Sequence, residues 1–319
     1  MTQTITKPEA LLEALGLDAH LLPGAQAANE SFALRVPAPY LARIRPGDPN
    51  DPLLRQILPL SEELEEQPGY VSDPLEEGAA KRAPGLLQKY AGRALLIATQ
   101  ACAIHCRYCF RREFPYAEQA SDEGARWAAA LAEIAADPTI EEVILSGGDP
   151  LSLSNARLTQ LTDSLAAMPQ VKRIRVHTRQ PVVLPARVDA GLCAWLAAIG
   201  QSVVFVLHVN HPNEIDDEVR AACDRLRAAG VTLLNQSVLL AGVNDEVDIL
   251  KRLSVALMEA GVLPYYLHLP DRVRGTAHFD VAEQRARELV AALTAQLSGY
   301  LVPRLVREIP GAPSKTAVV

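Results

Sequence analysis

From Arg93 onward, apolar stretches of strand length alternate with longer stretches in which apolar residues recur every three or four positions. The short stretches are Ala94–Thr99, Glu142–Ser146, Arg173–Thr178, Val203–Val209, Thr232–Leu239 and Pro264–Leu269. Between them lie Glu123–Ala135, Leu158–Ala167, Asp189–Ile199, Glu218–Ala229 and Val247–Ala260, which the spacing predicts as helices. Near-continuous apolar strands separated by amphipathic helices are the mark of a parallel sheet covered on both faces. Six such units predict an α/β fold, a partial (β/α)6 barrel of the TIM type; periodicity alone also allows a doubly wound sheet. Residues 1–92 are rich in proline and charge, with short helical patterns such as Pro52–Leu58. They are expected to form an N-terminal helical extension, with 93–300 as the barrel core and 301–319 as a C-terminal segment.

Composition changes this picture little. The chain has 319 residues, is 49% hydrophobic and carries a net charge of −7, with no basic block to track a nucleic-acid backbone. No apolar run reaches membrane-spanning length, and Met1–Lys7 lacks the pattern of a signal peptide, so a cytoplasmic protein is expected.

The strand ends carry the chemistry, as they do in barrels of this kind. Cys102, Cys106 and Cys109 follow the first strand as C-x₃-C-x₂-C. Ser146-Gly147-Gly148-Asp149 follows the second, His177-Thr178-Arg179 ends the third and His208 the fourth. Gln236 lies near the end of the fifth, and His268 to Asp271 end the sixth. Three thiolates are one short of the set that closes an ordinary iron–sulfur or structural zinc site. A [4Fe–4S] cluster so held leaves one iron open to a small molecule. Zinc, with His105, Cys193 or Cys223 as fourth ligand, is the plainer alternative. His105 is poorly placed for it, and the other two stand singly in helical segments. The odd count of five clustered cysteines speaks against a disulfide framework. Gly147-Gly148 reads as either a tight turn or a close backbone approach to a ligand. Arg111-Arg112, beside the cysteines, suits a carboxylate. His208 and His211 lack a third nearby ligand for a metal site, and nothing physical selects Lys315.

The cysteine spacing, with Tyr108 before the last cysteine, resembles that of the radical S-adenosylmethionine (SAM) enzymes. More segments extend the likeness: Asp48–Pro52, Cys102–Phe114, Ser146–Asp149, His208–Glu214, Asn235–Leu240, Gly242–Asp245, Pro264–Tyr266 and Lys315. Together they resemble the lysine 2,3-aminomutase family over nearly the whole chain, from about Phe32 to Thr316. The resemblance implies that Cys102, Cys106 and Cys109 hold the [4Fe–4S] cluster. It places SAM against Gly147, Gly148, Asp149, His208 and Gln236. Lys315 would carry pyridoxal phosphate (PLP) as a Schiff base, with Tyr90 and Arg93 beside that cofactor. Arg111 would grip the carboxylate of L-lysine, and Asp271 and Glu308 its ε-ammonium. The reaction implied moves the amino group from Cα to Cβ, with electrons from an external donor; a homo-oligomer is also implied.

Glu308 replaces an aspartate of typical members, and Pro310–Ser314 replaces a run of glycines before Lys315. Typical members also continue well beyond this lysine. The short tail, Arg307-Glu308, Pro313–Thr316 and Phe110–Tyr116 resemble the branch that makes (R)-β-lysine for elongation factor P, to which a separate ligase attaches it. The same residues leave two alternatives: a free-standing aminomutase for lysine or another amino acid, and a non-catalytic cluster- or zinc-bearing binding protein.

Overall fold

A computed structural model describes residues 4–115 and 123–319; Tyr116 lies outside the described residues. In the N-terminal segment a two-stranded antiparallel pair, β1 (Thr4–Ile5) and β2 (Val36–Pro37), accompanies helices α1 (Pro8–Leu15), α2 (Leu22–Ser31), α3 (Ala38–Leu41) and α4 (Pro52–Arg55). The leucines of α1 join the same apolar core as the barrel strands. The helical pattern at Pro52–Leu58 is realised as the single turn of α4. Asp51 caps it by accepting the Leu53 and Leu54 N–H groups at 2.8 and 3.2 Å.

A ten-stranded sheet follows, with its strands in sequence order: β3 (Lys81–Ala83), β4 (Leu86–Tyr90), β5 (Arg93–Thr99), β6 (Glu142–Gly147), β7 (Arg173–Thr178), β8 (Ser202–Leu207), β9 (Thr232–Val238), β10 (Leu263–His268), β11 (Arg304–Arg307) and β12 (Thr316–Ala317). Neighbours from β5 to β11 are parallel. Helices α5 (Glu123–Ala136), α6 (Asn155–Ala166), α7 (Gln180–Val183), α8 (Ala190–Ala198), α9 (Asp217–Ala228), α10 (Val247–Glu259) and α11 (Glu283–Gln296) fill the crossovers. Every strand and helix expected from Arg93 onward is present, with ends shifted by three residues at most. A doubly wound sheet would reverse its strand order at a switch point. This order never reverses, so the singly wound, partial-barrel reading stands.

Two expectations need correction. Residues 1–92 are not purely helical, because β3 and β4 belong to the main sheet. The turn at Ala91-Gly92, with Gly92 at φ 73°, folds β4 back on β5 and pairs Tyr90 with Arg93. The C-terminal segment is likewise part of the sheet. β11 adds a seventh parallel strand, and β12 returns antiparallel to it, pairing Arg307 with Thr316. This hairpin sets Glu308 and Lys315 opposite each other at its loop end.

Candidate active site

The C-terminal ends of the parallel strands open into a cavity of about 460 Å³. Its lining includes every residue that the sequence reading assigned to a site: the three cysteines, Gly147 to Asp149, His208, Gln236, Tyr90, Arg93, Arg111, Asp271, Glu308 and Lys315.

The cysteine loop is held from outside by the N-terminal segment. The His105 N–H donates to Arg35 O at 3.0 Å, and His105 Nδ1 lies 2.7 Å from Ala33 O. That ring also stacks on Phe32 at 5.3 Å, so His105 is engaged away from the cysteines. Fully buried Arg107 pairs with Glu63 at 2.6 Å and donates to Phe32 O at 2.6 Å. Arg112 shares Glu63, also at 2.6 Å. Cys193 and Cys223 sit on α8 and α9, and neither lines the cavity. Burial raises the Cys102 thiol well up and Cys109 to about 11, so without metal these groups hold their protons. Among the described residues no three metal-binding side chains converge as a single-ion site requires. All three cysteines line the cavity, and a cluster takes one thiolate at each of its ligated irons.

Gly147 and Gly148 are required by the protein's own backbone. A Cβ on Gly148 would lie 2.4 Å from Ala101 O, and one on Gly147 2.3 Å from Thr99 O. The Gly148 and Asp149 N–H groups donate to Thr99 O and Ala101 O, each at 2.8 Å, and so pin the root of the cysteine loop. A ligand's ammonium needs acceptors, which the carbonyls of this segment can supply. Asp149 borders the cavity, but its carboxylate is taken up by the protein. Oδ1 accepts from Leu151 N and Thr178 Oγ1 at 3.1 and 2.7 Å, and Oδ2 from Arg179 N and Gln180 N at 2.7 and 3.0 Å. Asp149, which lines the cavity, thereby also ties the ends of β6 and β7 together.

His208 Nε2 lies 3.4 Å from His177 Nδ1. Burial, then the charges of Arg179, Lys315 and Arg111, lowers the His208 imidazole to about 4, so it is neutral at pH 7. His177 and His268 are lowered too, chiefly by burial. Each leaves Nε2 buried without a hydrogen-bond partner among the described residues. His211 turns away to accept the Asn213 N–H at 3.1 Å.

A line of alternating charges runs through the cavity. Glu77, 3% exposed, holds Arg111 by two hydrogen bonds of 2.8 Å. Lys89 bridges Glu77 and Glu308 at 3.2 and 3.0 Å. Lys315 Nζ lies 2.6 Å from Glu308 Oε2. Burial alone would raise the Glu308 carboxyl, but Lys315 and Lys89 outweigh it and hold it at about 2. Burial, then the charge of Glu308, pushes Asp271 up to about 7. The Arg93 guanidinium sits 4.6 Å over the Tyr90 ring, and its Nε is buried with no partner among the described residues.

Sequence reasoning missed Glu77 and Lys89 and left Arg179 unassigned. Glu77 belongs to an acidic loop that reads as solvated. What distinguishes it is Glu76, at φ 49° the sole described non-glycine residue with positive φ. Asp73 accepts the Glu77 N–H at 3.0 Å and closes the turn that sends Glu77 inward.

Strand-end cysteines over a parallel barrel define the class, and residues 96–253 match the model of the radical SAM superfamily. An L-lysine 2,3-aminomutase of Escherichia coli (strain K12) is 48% identical over 318 residues, 99% of this chain and 92% of that one. An L-lysine 2,3-aminomutase of Haemophilus influenzae is 46% identical over 316 residues, 99% of this chain and 93% of that one. One of Clostridium subterminale is 38% identical over 290 residues, 91% of this chain and 70% of that one. The chain belongs to the lysine 2,3-aminomutase family of radical SAM enzymes, which are isomerases. Membership implies a [4Fe–4S] cluster and SAM. No helix among the described residues is long and apolar enough to cross a membrane.

Proposed function

We propose that this chain is a PLP-dependent L-lysine 2,3-aminomutase that turns L-α-lysine into (R)-β-lysine for the modification of elongation factor P. The observation that carries this reading is the charge pattern around Lys315. An acidic pair, Glu308 and Asp271, lies at one end of the line of charges and Arg111 at the other, within one cavity that also holds the three cysteines. A lysine substrate has the matching pattern, an ε-ammonium at one end and a carboxylate at the other.

Cys102, Cys106 and Cys109 would hold the cluster, with His208, Gln236 and the carbonyl edge at Gly147-Gly148 around SAM. Lys315 would anchor PLP, with the Tyr90 ring and the unpartnered Arg93 Nε as its neighbours. Together these groups supply radical generation and stabilisation of the migrating nitrogen, chemistry that side chains lack. The protein's share is orientation. Arg111 fixes the carboxylate end and Glu308 with Asp271 the ammonium end, which decides which C–H bond faces the radical source. The buried neutral imidazoles of His177, His208 and His268 carry no charge that would compete with either end.

Elongation factor P and its lysyl ligase enter through the branch that Arg307-Glu308 and Pro313–Thr316 resemble. The test is an anaerobic assay with reconstituted cluster, SAM, PLP, dithionite and L-lysine, with the products resolved by enantiomer. (R)-β-lysine is expected. An (S) product would remove the elongation-factor branch, and no turnover with cluster and PLP verified would overturn the activity.

A further inference from the structure

Arg179 is the first residue after β7 and is 6% exposed. Its Nη1 donates to Cys106 Sγ at 2.7 Å. Its Nη2 donates to Gln56 Oε1 at 2.7 Å and to Glu214 Oε2 at 2.8 Å. Its backbone N–H is held by Asp149, and its Cζ lies 5.3 Å over the Tyr40 ring and 5.6 Å over the Tyr108 ring. Glu214 is locked in turn, Oε1 accepting the Asn210 and His211 N–H groups at 2.9 and 3.0 Å. Four separated segments thus converge to fix one guanidinium against one cysteine. A charged side chain thus donates directly to a cysteine of the loop.

We propose that Arg179 is a positioning residue for electron transfer, raising the reduction potential of the cluster by a charged hydrogen bond to the Cys106 sulfur. The inference rests on the radical SAM reading of the cysteines and goes beyond it, since that reading assigns Arg179 no part. One-electron reduction adds negative charge to the cluster and its thiolates. A cation and a hydrogen-bond donor at a ligand sulfur stabilise the reduced form more than the oxidised one. Glu214 opposes this from the other side of the guanidinium, so the nearer, positive end of the pair faces the sulfur. The charge of arginine is permanent at any working pH, so the effect does not titrate.

The test uses the full chain with its cluster reconstituted anaerobically. Iron and sulfide are counted, and the reduced cluster is titrated by EPR against mediators with dithionite as the electron source. In Arg179→Gln the ratio of reduced to oxidised cluster at a fixed potential should fall at least tenfold, which is about 59 mV for a one-electron couple. Arg179→Lys keeps the charge without the fork and should fall between the two. Glu214→Gln removes the opposing charge and should raise the ratio. A fully loaded Arg179→Gln protein that titrates like the wild type overturns the proposal. If Arg179→Gln does not fold, Glu214→Gln decides: a raised ratio supports the proposal, and an unchanged or lowered one overturns it. A wild-type protein that takes up zinc and no iron and sulfide defeats the cluster reading itself and is told apart by its metal content.

Discussion

Lys315 Nζ lies 2.6 Å from Glu308 Oε2, across the loop end of the β11–β12 hairpin. The pair explains how a lysine so close to the chain's last residue comes to sit inside a catalytic cavity. Strand pairing of Arg307 with Thr316 leaves the next residue on one side and the previous one on the other facing each other. Glu308 has a second partner in Lys89, at 3.0 Å.

Lys315→Ala should abolish the visible absorbance of protein-bound PLP while leaving iron and sulfide content unchanged. Spectra of the reconstituted variant, with a parallel iron count, check this. A PLP spectrum that survives the substitution would mean that the cofactor is anchored elsewhere.

Asp271 gives the site a pH dependence. With its carboxyl pushed up to about 7, it is neutral below that pH and charged above it. Only the charged form attracts an ammonium. KM for L-lysine should therefore rise by up to about tenfold per unit as pH falls below 7, and flatten above it. Asp271→Asn should hold KM high and level from pH 6 to 8, with SAM affinity unmoved. KM for lysine and Kd for SAM across that range are the measurements. An equal loss for both ligands would remove Asp271 from the lysine clamp.

Glu77 is expected to matter for stability as well as for binding. It is buried with Arg111 and Lys89 as partners, and removing one member of such a group costs about 3–5 kcal/mol. Glu77→Ala should lower the thermal midpoint clearly. The gentler Glu77→Gln should raise KM for lysine more than it lowers kcat, because Arg111 loses its orientation while the radical machinery stays intact. Calorimetry and steady-state kinetics of the two variants check both halves.

Gly148→Ala should block cluster assembly while the barrel still folds. The added carbon would meet Ala101 O at 2.4 Å, which displaces the root of the cysteine loop. Far-UV circular dichroism like that of the wild type, with iron content near zero, is the expected result. Full iron loading would show that the loop can yield.

The barrel was legible because β5, β6 and β8 read as near-continuous apolar runs, and β7 and β9 keep a buried residue at every second position between amphipathic helices. β4 was not, since its end Gln88-Lys89-Tyr90 is partly polar, with Lys89 and Tyr90 lining the cavity, and reads as loop. Lys315 stands out by family likeness alone; only the hairpin register gives it a physical reason. Polar motifs were legible as patterns without their division of labour. In His208–Glu214 the first residue faces the cavity and Glu214 is wholly buried in bracing Arg179. In Asn235-Gln236-Ser237 the middle residue lines the cavity, whereas Asn235 and Ser237 bond the Val209 backbone. Residue type alone cannot separate a brace from a contact. Glu77 was hidden because its role depends on one backbone angle at Glu76.

The bonds that fasten His105 and Arg107 to residues 28–35 end on main-chain oxygens, those of Ala28, Phe32, Ala33 and Arg35. Such oxygens are the same whatever side chain the residue bears. Natural variation should therefore pass as substitution through the exposed positions Glu30, Ser31, Ala33 and Arg35, while buried Ala28 and Leu34 and the Phe32 ring that stacks on His105 stay constrained, and be refused throughout the stretch as insertion or deletion. What inheritance must preserve in this stretch is the count of residues more than their kind.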